Sequence, residues 1–459
     1  MRILQITAGA GGMYCGSCLR DNTLAAATLA RGHDVALLPV YTPTRTDEPN
    51  VSDEHVFLGG ISVYLEQHIP FLRTTPAILD WIWDRPAVIR LATGRGVTVE
   101  PRHLGALTVS TLRGEEGNQA KELRKLMGYL EAQPPFDVVV IPMSMLLGLA
   151  PSLKRTLGRP ICCTLQGDDL FLDGLGEPWR SECLALIRQH APAVDAFIAT
   201  SGYYADFMAG YLGIARERIH HVPLGINFEG YQASPRAPRE VPVVGYFARI
   251  APEKGLHQLA EAYRILRQER GLPMARLEAA GYLAPEHRGY LGGIEANLVA
   301  WGLASEFRYH GAPDRTGKIT FLKDVDVFCV PSPYAEPKGL YLLEAMASGA
   351  PVVAPRHGAF PEILEKTGGG VLFEPNDAAS LADRLLELLR DPKRAAEIGQ
   401  RGAAGVRRHY SADAMAAQQI AVYESVLRAA DINSEAEGGP GGPEGPPGLK
   451  SEREFISRE

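Results

Sequence analysis

Two glutamates, Glu336 and Glu344, are separated by seven residues within the stretch Pro331–Val353. This stretch follows a predicted strand, Val325–Val330, passes Gly339 and opens a helix. Such a strand-to-helix turn presents backbone N–H groups and the positive end of the helix to an anion. Glu344 falls about one turn inside the helix, while Glu336 stays on the loop before it. Because ligands bind at the carboxyl ends of parallel strands, we expect both carboxylates to face one crevice.

A pair of cations, Arg249 and Lys254, follows another predicted strand, Val243–Ala248. Two fixed positive charges beyond a strand end can neutralise a departing diphosphate, which a metal ion would otherwise do. Taken alone, Lys254-Gly255 after a strand is more often a turn that enters a helix. Beside the glutamate pair, the two cations indicate a site for a phosphorylated leaving group.

The glycine-rich run Gly9-Ala10-Gly11-Gly12 follows a predicted strand and precedes a predicted helix, Asp21–Arg31. This order invites a dinucleotide-binding interpretation, but the spacing fails, because a G-x-G-x-x-G run would need glycine at Tyr14. In addition, no acidic residue closes the next strand, in Val35–Val40, to bind a ribose. The pattern therefore does not indicate a dinucleotide site.

Two short polar motifs raise the question of a metal ion. Gln166-Gly167-Asp168-Asp169 follows a predicted strand, but the acidic pair has no third ligand at plausible spacing, so no metal site is expected there. Cys15 and Cys18 have the spacing of a redox pair or half of a zinc site. No second such motif follows, so small loop residues are the favoured interpretation.

Short apolar runs alternate with helical patterns along the chain, which is typical of βαβ units and parallel sheets covered by helices. The predicted strands of the first half are Ile3–Ile6, Val35–Pro39, Val138–Ile141, Ile161–Thr164, Ala196–Ala199 and His221–Val222. Those of the second half are Val243–Ala248, Arg276–Ala280, Glu306–Tyr309, Val325–Val330, Pro351–Ala354 and Val371–Phe373.

The proline-rich polar stretch 230–241 separates the two series and is predicted to be a linker. It divides the chain into an N-terminal domain, residues 1–229, and a C-terminal domain, residues 242–410. A last helix within 411–430 has one apolar face that must pack on something. The Gly-, Pro- and Glu-rich residues 434–459 are predicted to be a disordered tail.

The segment from Thr42 to about Arg113 is long for a connection and carries Trp81 and Trp83. An insertion of this kind either packs on its own domain or lines a substrate cleft. A helix lying on a membrane is the sharper alternative, but Leu79–Arg90 lacks the basic polar face of that mode. Packing is therefore the expectation.

Composition narrows the class of protein. The chain has 459 residues, of which 46% are hydrophobic and 22% charged, and this fits a globular enzyme with two domains. A net charge of -7 argues against a duplex-binding protein, because such affinity comes from surplus Lys and Arg. With neither a signal peptide nor a run of 18 apolar residues, a cytoplasmic protein without a transmembrane segment is expected.

With Ala-Met-Ala-x-Gly-x-Pro-Val-Val after the second glutamate, the glutamate motif resembles the signature of family 4 (group 1) glycosyltransferases. The resemblance implies the α/β GT-B fold, in which two Rossmann-like domains carry parallel sheets that face a central cleft. It also implies that the last helix crosses back onto the N-terminal domain. Carried over, Glu336 contacts the transferring sugar and Glu344 the ribose, with Gly339 and Leu340 beside them in the donor site.

The resemblance extends to the other motifs. Ala248-Arg249 and Lys254-Gly255 match the family's usual Gly-Arg and Lys-Gly, with Ala in place of the first Gly, which implies that Arg249 and Lys254 bind the donor and act in catalysis. The family's glycine-rich loop approaches the donor phosphate or the acceptor, and Gly11 and Gly12 are the candidates here.

Two positions depart from the family pattern. Gln166 stands where many members have a His that faces the reacting sugar, so either Gln166 supplies a neutral hydrogen bond or Asp168 takes a polar role on the acceptor side. Lys338 replaces a more usual aromatic residue, and this change is expected to affect loop packing more than mechanism.

The implied activity is metal-independent transfer of a sugar from a nucleotide-diphosphate donor to an acceptor, with retention of anomeric configuration. The acceptor is a glycan, a lipid-linked molecule or a small molecule, with peripheral membrane contact possible and no nucleic acid. The alternatives are a noncatalytic nucleotide-sugar- or glycan-binding protein and another enzyme on the same fold, such as an epimerase or a phosphorylase.

Overall fold

The structure is a computed structural model that describes residues 1–9, 16–53, 56–57, 101–233 and 239–437. Its strands, numbered in chain order, are β1 (Arg2–Thr7), β2 (Asp34–Pro39), β3 (Val138–Ile141), β4 (Ile161–Leu165), β5 (Ala196–Ala199), β6 (Ile219–His221), β7 (Val243–Phe247), β8 (Arg276–Ala280), β9 (Phe307–Tyr309), β10 (Val327–Cys329), β11 (Val352–Pro355) and β12 (Gly370–Phe373).

The helices, numbered in the same way, connect and cover these strands. They are α1 (Gly16–Ala30), α2 (Pro101–Leu112), α3 (Ala120–Glu131), α4 (Ala150–Leu157), α5 (Asp168–Gly174), α6 (Trp179–His190), α7 (Gly202–Leu212), α8 (Leu256–Gln268), α9 (Arg288–Ala300), α10 (Arg315–Lys323), α11 (Leu340–Ala347), α12 (Phe360–Thr367), α13 (Ala378–Arg390), α14 (Pro392–His409) and α15 (Ala412–Glu437).

The strands form two parallel six-stranded sheets, in the orders β2-β1-β3-β4-β5-β6 and β12-β11-β10-β7-β8-β9. In the second sheet the chain starts at β7, moves outward through β8 and β9, and returns to the other side of β7 with β10. The connections leaving β7 and β10 therefore diverge and leave a crevice at their carboxyl ends, where ligands bind in such folds. The first sheet has the same kind of opening between β1 and β3.

Each sheet has helices on both faces, which explains why the strands are almost continuously apolar. β3, with the sequence Val-Val-Val-Ile, is buried at every residue, and so is β4. One large apolar cluster surrounds the second sheet, and two clusters lie on the two faces of the first. This arrangement confirms the predicted fold class of two Rossmann-like units with parallel sheets.

The last helix, α15, packs on the first sheet although its sequence follows the second. Met415 and Tyr423 belong to the same buried cluster as Ile3 and Val138. Where the chain returns, the backbone N–H of Ile226 donates to the Tyr410 carbonyl at 2.9 Å, and the N–H of Ala412 donates to the Ile226 carbonyl at 3.0 Å. The two segments that join the sheets therefore run side by side.

Each predicted strand overlaps a strand of the structure, with ends that differ by at most two residues. β10 is shorter than the predicted Val325–Val330, and the last strand of the first sheet is displaced. His221–Val222 was the predicted range, whereas β6 runs over Ile219–His221, because its pairing with β5 begins at Ile219 opposite Phe197. α15 continues to Glu437, so the first residues assigned to a disordered tail are helical. Helix-forming residues extend to that point, and the Gly-Gly-Pro run begins only at Gly438.

The domain boundaries at 229, 242 and 410 stay predictions, although the two sheets lie within them. Several earlier expectations fall outside the described residues: those on Gly11 and Gly12, on Cys15, on Trp81 and Trp83, and on the tail beyond Glu437.

Candidate active site

A cavity of about 450 Å³ lies between the carboxyl ends of the two sheets. It brings together most of the residues that the sequence singled out. Those that line it are Gln166, Arg249, Lys254, Glu336, Leu340 and Glu344. The prediction that both glutamates face one crevice is therefore confirmed.

Lys254 and Glu336 are in direct contact within the cavity. Lys254 lies in a short 3-10 turn, Pro252–Lys254, after β7, and its Nζ donates to Glu336 Oε2. The next residue, Gly255, has φ +77°, and a Cβ there would come within 2.0 Å of the Pro331 carbonyl oxygen. Glycine thus permits the turn after β7 to press against the loop after β10. The Lys-Gly pair therefore places the ammonium on the glutamate.

Glu336 is kept ionised although it is buried. Burial alone would raise the pKa of its carboxyl, but the charge and hydrogen bond of Lys254, with Lys338 and Tyr341, bring the pKa below its ordinary value. The Tyr341 hydroxyl donates to Glu336 Oε2 at 3.3 Å, and Lys254 Nζ lies 5.6 Å from the centre of the Tyr341 ring. The site therefore holds an anionic acceptor of hydrogen bonds next to a cation.

Arg249 occupies the rim of the same region. Its guanidinium Nη2 donates to Glu253 Oε1 at 2.8 Å, and 41% of its side chain is exposed. A pair this exposed contributes little to stability. Arg249 can therefore exchange Glu253 for a more strongly charged anion in the cavity at small cost.

Glu344 lies in the second turn of α11 and is held by two donors. The Tyr231 hydroxyl donates to its Oε1 at 3.0 Å, and Lys318 Nζ donates to the same oxygen at 2.5 Å. Gly339 precedes α11 with φ +66°, a conformation that suits glycine. This turn starts the helix where Leu340 and Glu344 both reach the cavity.

Gln166 and Asp168 have different positions, although both follow β4. Gln166 lines the cavity, and its side-chain amide donates to the Pro142 carbonyl at 3.1 Å. Asp168 does not line it: the carboxylate is buried and accepts from both the N–H and the hydroxyl of Ser144 at 2.7 Å. Asp168 therefore braces the loop after β3, and its role on the acceptor side stays a prediction.

The two carboxylates of the acidic pair accept hydrogen bonds from different partners. Asp169 accepts hydrogen bonds from Tyr204 at 2.6 Å and from Tyr334 at 2.9 Å, so the two aspartates point to different partners. Within the part of the chain that the structure describes, three His, Cys, Asp or Glu side chains nowhere gather as they must to hold a metal ion.

The polar side chains that line the cavity without having been assigned to it from the sequence include Ser17, Asp47, Lys318 and Lys338. Lys338 was expected to affect loop packing, but its Nζ donates to Ser17 Oγ at 2.8 Å. Ser17 belongs to the first turn of α1, so Lys338 spans the cleft. In the sequence, the only sign of this contact was the lysine in place of the usual aromatic residue. The partner of the Lys338 ammonium on the other domain can be identified only from the structure.

These features define the class of the protein: a two-domain GT-B fold with a charged cleft between parallel sheets. The family model described as glycosyl transferases group 1 matches residues 227–404. The model described as a glycosyl transferase 4-like domain matches residues 22–225. The chain belongs to the group 1 glycosyltransferases.

Several curated proteins are similar to this chain. The phosphatidyl-myo-inositol mannosyltransferase of Mycobacterium leprae is 39% identical over 127 residues, or 28% of this chain and 34% of that protein. The MMP alpha-(1->4)-mannosyltransferase of Mycolicibacterium hassiacum is 32% identical over 50% of this chain and 53% of its own length. The chain thus spans about a third and about half of the lengths of these two relatives.

A longer match joins the chain to the GDP-mannose-dependent alpha-(1-6)-phosphatidylinositol monomannoside mannosyltransferase of Mycolicibacterium smegmatis. It is 26% identical over 378 residues, or 77% of this chain and 91% of that protein.

Solved structures share the fold. Sucrose-phosphate synthase from Thermosynechococcus elongatus has a TM-score of 0.69 at 18% identity, covering 94% of this chain and 100% of that one. Anabaena HepE, solved with UDP and glucose, has a TM-score of 0.64 at 19% identity, covering 93% and 99%. In the described part of this chain, every helix is too short or too polar to cross a bilayer.

Proposed function

We propose that the protein transfers a sugar from a nucleotide-diphosphate sugar to an acceptor with retention of anomeric configuration. The observation that carries the proposal is the contact of Lys254 with Glu336 in the cavity that Glu344 also lines. The cavity then offers both kinds of group that such a donor requires. The diphosphate requires positive charge, and the hydroxyls of the sugar and the ribose require hydrogen-bond acceptors.

In the proposed donor complex, Lys254 and Arg249 turn from Glu336 and Glu253 to the diphosphate and stabilise the charge that develops on it. Glu336, released from Lys254, accepts a hydroxyl of the sugar, and Glu344 accepts hydroxyls of the ribose. Gly339 and Leu340 supply the start of α11 for the phosphates. Gly11 and Gly12 are proposed to approach them from the other domain.

The chemical step needs no nucleophile from the protein. The bond between the anomeric carbon and the diphosphate oxygen breaks, and the electron pair stays on that oxygen. The acceptor hydroxyl bonds to the anomeric carbon on the same face and gives its proton to the departing oxygen. The protein positions the two substrates and stabilises charge. Gln166 is proposed to hydrogen-bond the reacting sugar as a group that takes no proton.

The test is turnover of a panel of donors by the purified chain. GDP-mannose comes first because the names of the relatives specify mannosyl transfer, and UDP-glucose follows because HepE was solved with UDP and glucose. Slow hydrolysis of one donor, with release of the nucleoside diphosphate, is the expected result. Binding of a donor without any turnover, including with candidate acceptors, would favour a noncatalytic protein.

The same assay tests metal independence, which is proposed because Arg249 and Lys254 supply the positive charge. Turnover is expected to survive thorough chelation with EDTA. Loss of turnover with recovery on adding Mg²⁺ or Mn²⁺ would show that the two cations are insufficient.

A further inference from the structure

A buried ion-pair network joins the two domains beside Glu344. Lys318 Nζ, from α10, lies 2.5 Å from Glu344 Oε1 and 2.5 Å from Asp47 Oδ2. Glu344 belongs to the second sheet's half of the molecule, whereas Asp47 lies on the connection after β2 of the first. The side chains of Lys318, Glu344 and Asp47 are exposed by 6%, 7% and 10%. One ammonium is thus shared by carboxylates of both domains.

A second ion pair holds Asp47 in its place. Arg315 Nη1 lies 3.1 Å from Glu48 Oε1, and the Thr23 hydroxyl donates to Glu48 Oε2 at 2.8 Å. Arg315 also donates to the carbonyls of Asn227 and Glu229. The connection after β2 is therefore fixed on α10 by two neighbouring residues, so Asp47 is placed on Lys318 whenever the domains adopt this arrangement.

The shared ammonium sets how strongly Glu344 attracts a hydrogen-bond donor. Burial alone would lower the pKa of Lys318, but Glu344 and Asp47 outweigh burial and raise it, so the ammonium stays charged. With both carboxylates in contact, the single positive charge offsets each of them only in part. If the domains separate, Lys318 pairs with Glu344 alone, and its positive charge then offsets the charge of the Glu344 carboxylate more fully. The carboxylate is then a weaker acceptor for a ribose hydroxyl.

We propose that Asp47 is a positioning residue that makes ribose recognition by Glu344 depend on closure of the cleft. The inference rests on the proposed role of Glu344 in ribose binding. Because coupling between two equilibria is reciprocal, a nucleotide that bonds Glu344 also stabilises the Asp47–Lys318 contact and with it the closed arrangement. Product release follows from opening, which leaves Lys318 paired with Glu344 alone.

The experiment compares nucleoside diphosphates with and without the ribose 2′-hydroxyl. Isothermal titration of the full chain is carried out with UDP and 2′-deoxy-UDP, and with GDP and 2′-deoxy-GDP. For whichever base binds, the ratio is the dissociation constant of the deoxynucleotide divided by that of the ribonucleotide. Asp47→Asn is expected to weaken the ribonucleotide by about tenfold and the deoxynucleotide much less, so that the ratio falls. In a Lys318→Met background, Asp47→Asn should have no further effect on the ratio.

Glu362→Gln is the matched control, because Glu362 also crosses the cleft, accepting from the N–H groups of Gly202 and Tyr203, but does not touch Glu344. It should weaken both nucleotides equally and leave the ratio unchanged. If Asp47→Asn behaves in the same way, with an unaltered melting temperature, the contact only supports closure and the inference is wrong.

The proposed function has its own outcome. If Glu344→Gln leaves the ratio at the wild-type value, Glu344 does not bind ribose. If the wild-type chain binds no ribonucleoside diphosphate, with UDP, GDP, ADP and CDP all tested, the donor site itself is wrong. If Glu344→Gln abolishes the ratio while Asp47→Asn keeps it, only the coupling fails.

Discussion

At the scale of single residues, the cavity is a set of charges that neutralise one another until a substrate arrives. Lys254 contacts Glu336, Arg249 contacts Glu253, and Lys318 contacts Glu344. The first and the last of these pairs keep buried charges compensated. They also mean that a phosphorylated donor must displace existing partners, so the net gain on binding is smaller than the new contacts alone would suggest.

Replacement of Arg249 or Lys254, the two cations proposed to bind the diphosphate, should reduce turnover strongly. Arg249→Ala and Lys254→Ala are each expected to lower kcat by at least about 100-fold, since each removes charge stabilisation from the leaving group. Arg356→Ala is the matched control, because Arg356 pairs with Glu374 on the surface, outside the cavity. Steady-state kinetics with the active donor provides the measurement. Wild-type kcat in both variants would contradict the donor site.

The Lys254–Glu336 pair should also show itself in the pH dependence of stability. The pKa of Glu336 is below its ordinary value, so its ionised form stabilises the fold above the pKa of the unfolded chain. That contribution is lost as the pH falls through the pKa of the folded state. Lys254→Met leaves the carboxylate buried and unpaired, at a cost of about 3 kcal/mol near neutral pH.

The difference in unfolding free energy between wild type and Lys254→Met should therefore shrink as the pH is lowered, since protonation of Glu336 removes the unpaired charge. Urea unfolding between pH 7 and pH 3 measures it, and Lys254→Arg should follow the wild type. A difference that stays constant over this range would show that the pair does not control the ionisation of Glu336.

At the scale of elements, the turn after β7 decides whether Lys254 meets Glu336. Gly255 and Gly271 both have positive φ, +77° and +69°, but only at Gly255 would a Cβ collide with backbone, at the Pro331 carbonyl. Gly271→Ala should therefore cost about 1 kcal/mol of unfolding free energy, from conformation alone. Gly255→Ala should cost more and also displace Lys254.

The readout is kcat for both variants, together with their unfolding free energies. Gly255→Ala is expected to lose most of its turnover while Gly271→Ala keeps it. Equal turnover in the two folded variants would mean that the turn after β7 can shift without displacing the Lys254 ammonium from Glu336.

Much of the element pattern can be predicted from the sequence, because buried parallel strands such as Val138–Ile141 are unbroken apolar runs between turns. The glutamate motif likewise predicts its own loop and helix. The pairing of Lys318 with Asp47 cannot be found in this way, since the two residues are remote in sequence and meet only when both domains are assembled. The sequence also left open whether Gln166 or Asp168 serves the acceptor side, and it contained no signal that the Ser144 N–H and hydroxyl donate to the buried Asp168 carboxylate.

At the scale of the whole molecule, the cleft is closed by contacts at its mouth. The Tyr334 hydroxyl donates to Asp169, the Thr200 hydroxyl donates to the Pro337 carbonyl at 3.1 Å, and Lys338 reaches Ser17. All three bonds join the loop after β10, or the residues that follow it, to the first domain. A ligand that binds this loop therefore acts on both domains at once.

Small-angle scattering should detect this dependence. Saturating nucleoside diphosphate is expected to reduce the radius of gyration, because its contacts with both halves exist together only in the closed arrangement. Tyr334→Phe, which removes the hydroxyl that donates to Asp169, should raise the radius of the unliganded chain. An unchanged radius under demonstrated saturation would contradict ligand-driven closure, although the chemical assignment would stand.

The side-by-side passage of the chain at Ile226 and Ser411 has a consequence for how the protein can be divided. In topological terms the second half is a cassette inserted into the first, since its two ends meet in a bridge between these residues, while α15 belongs to the first sheet. An exchange of the cassette between homologues would replace Arg249, Lys254, Glu336 and Glu344 together and keep α15 on the first sheet. If these four residues bind the donor, as we propose, the exchange should carry the choice of donor with it.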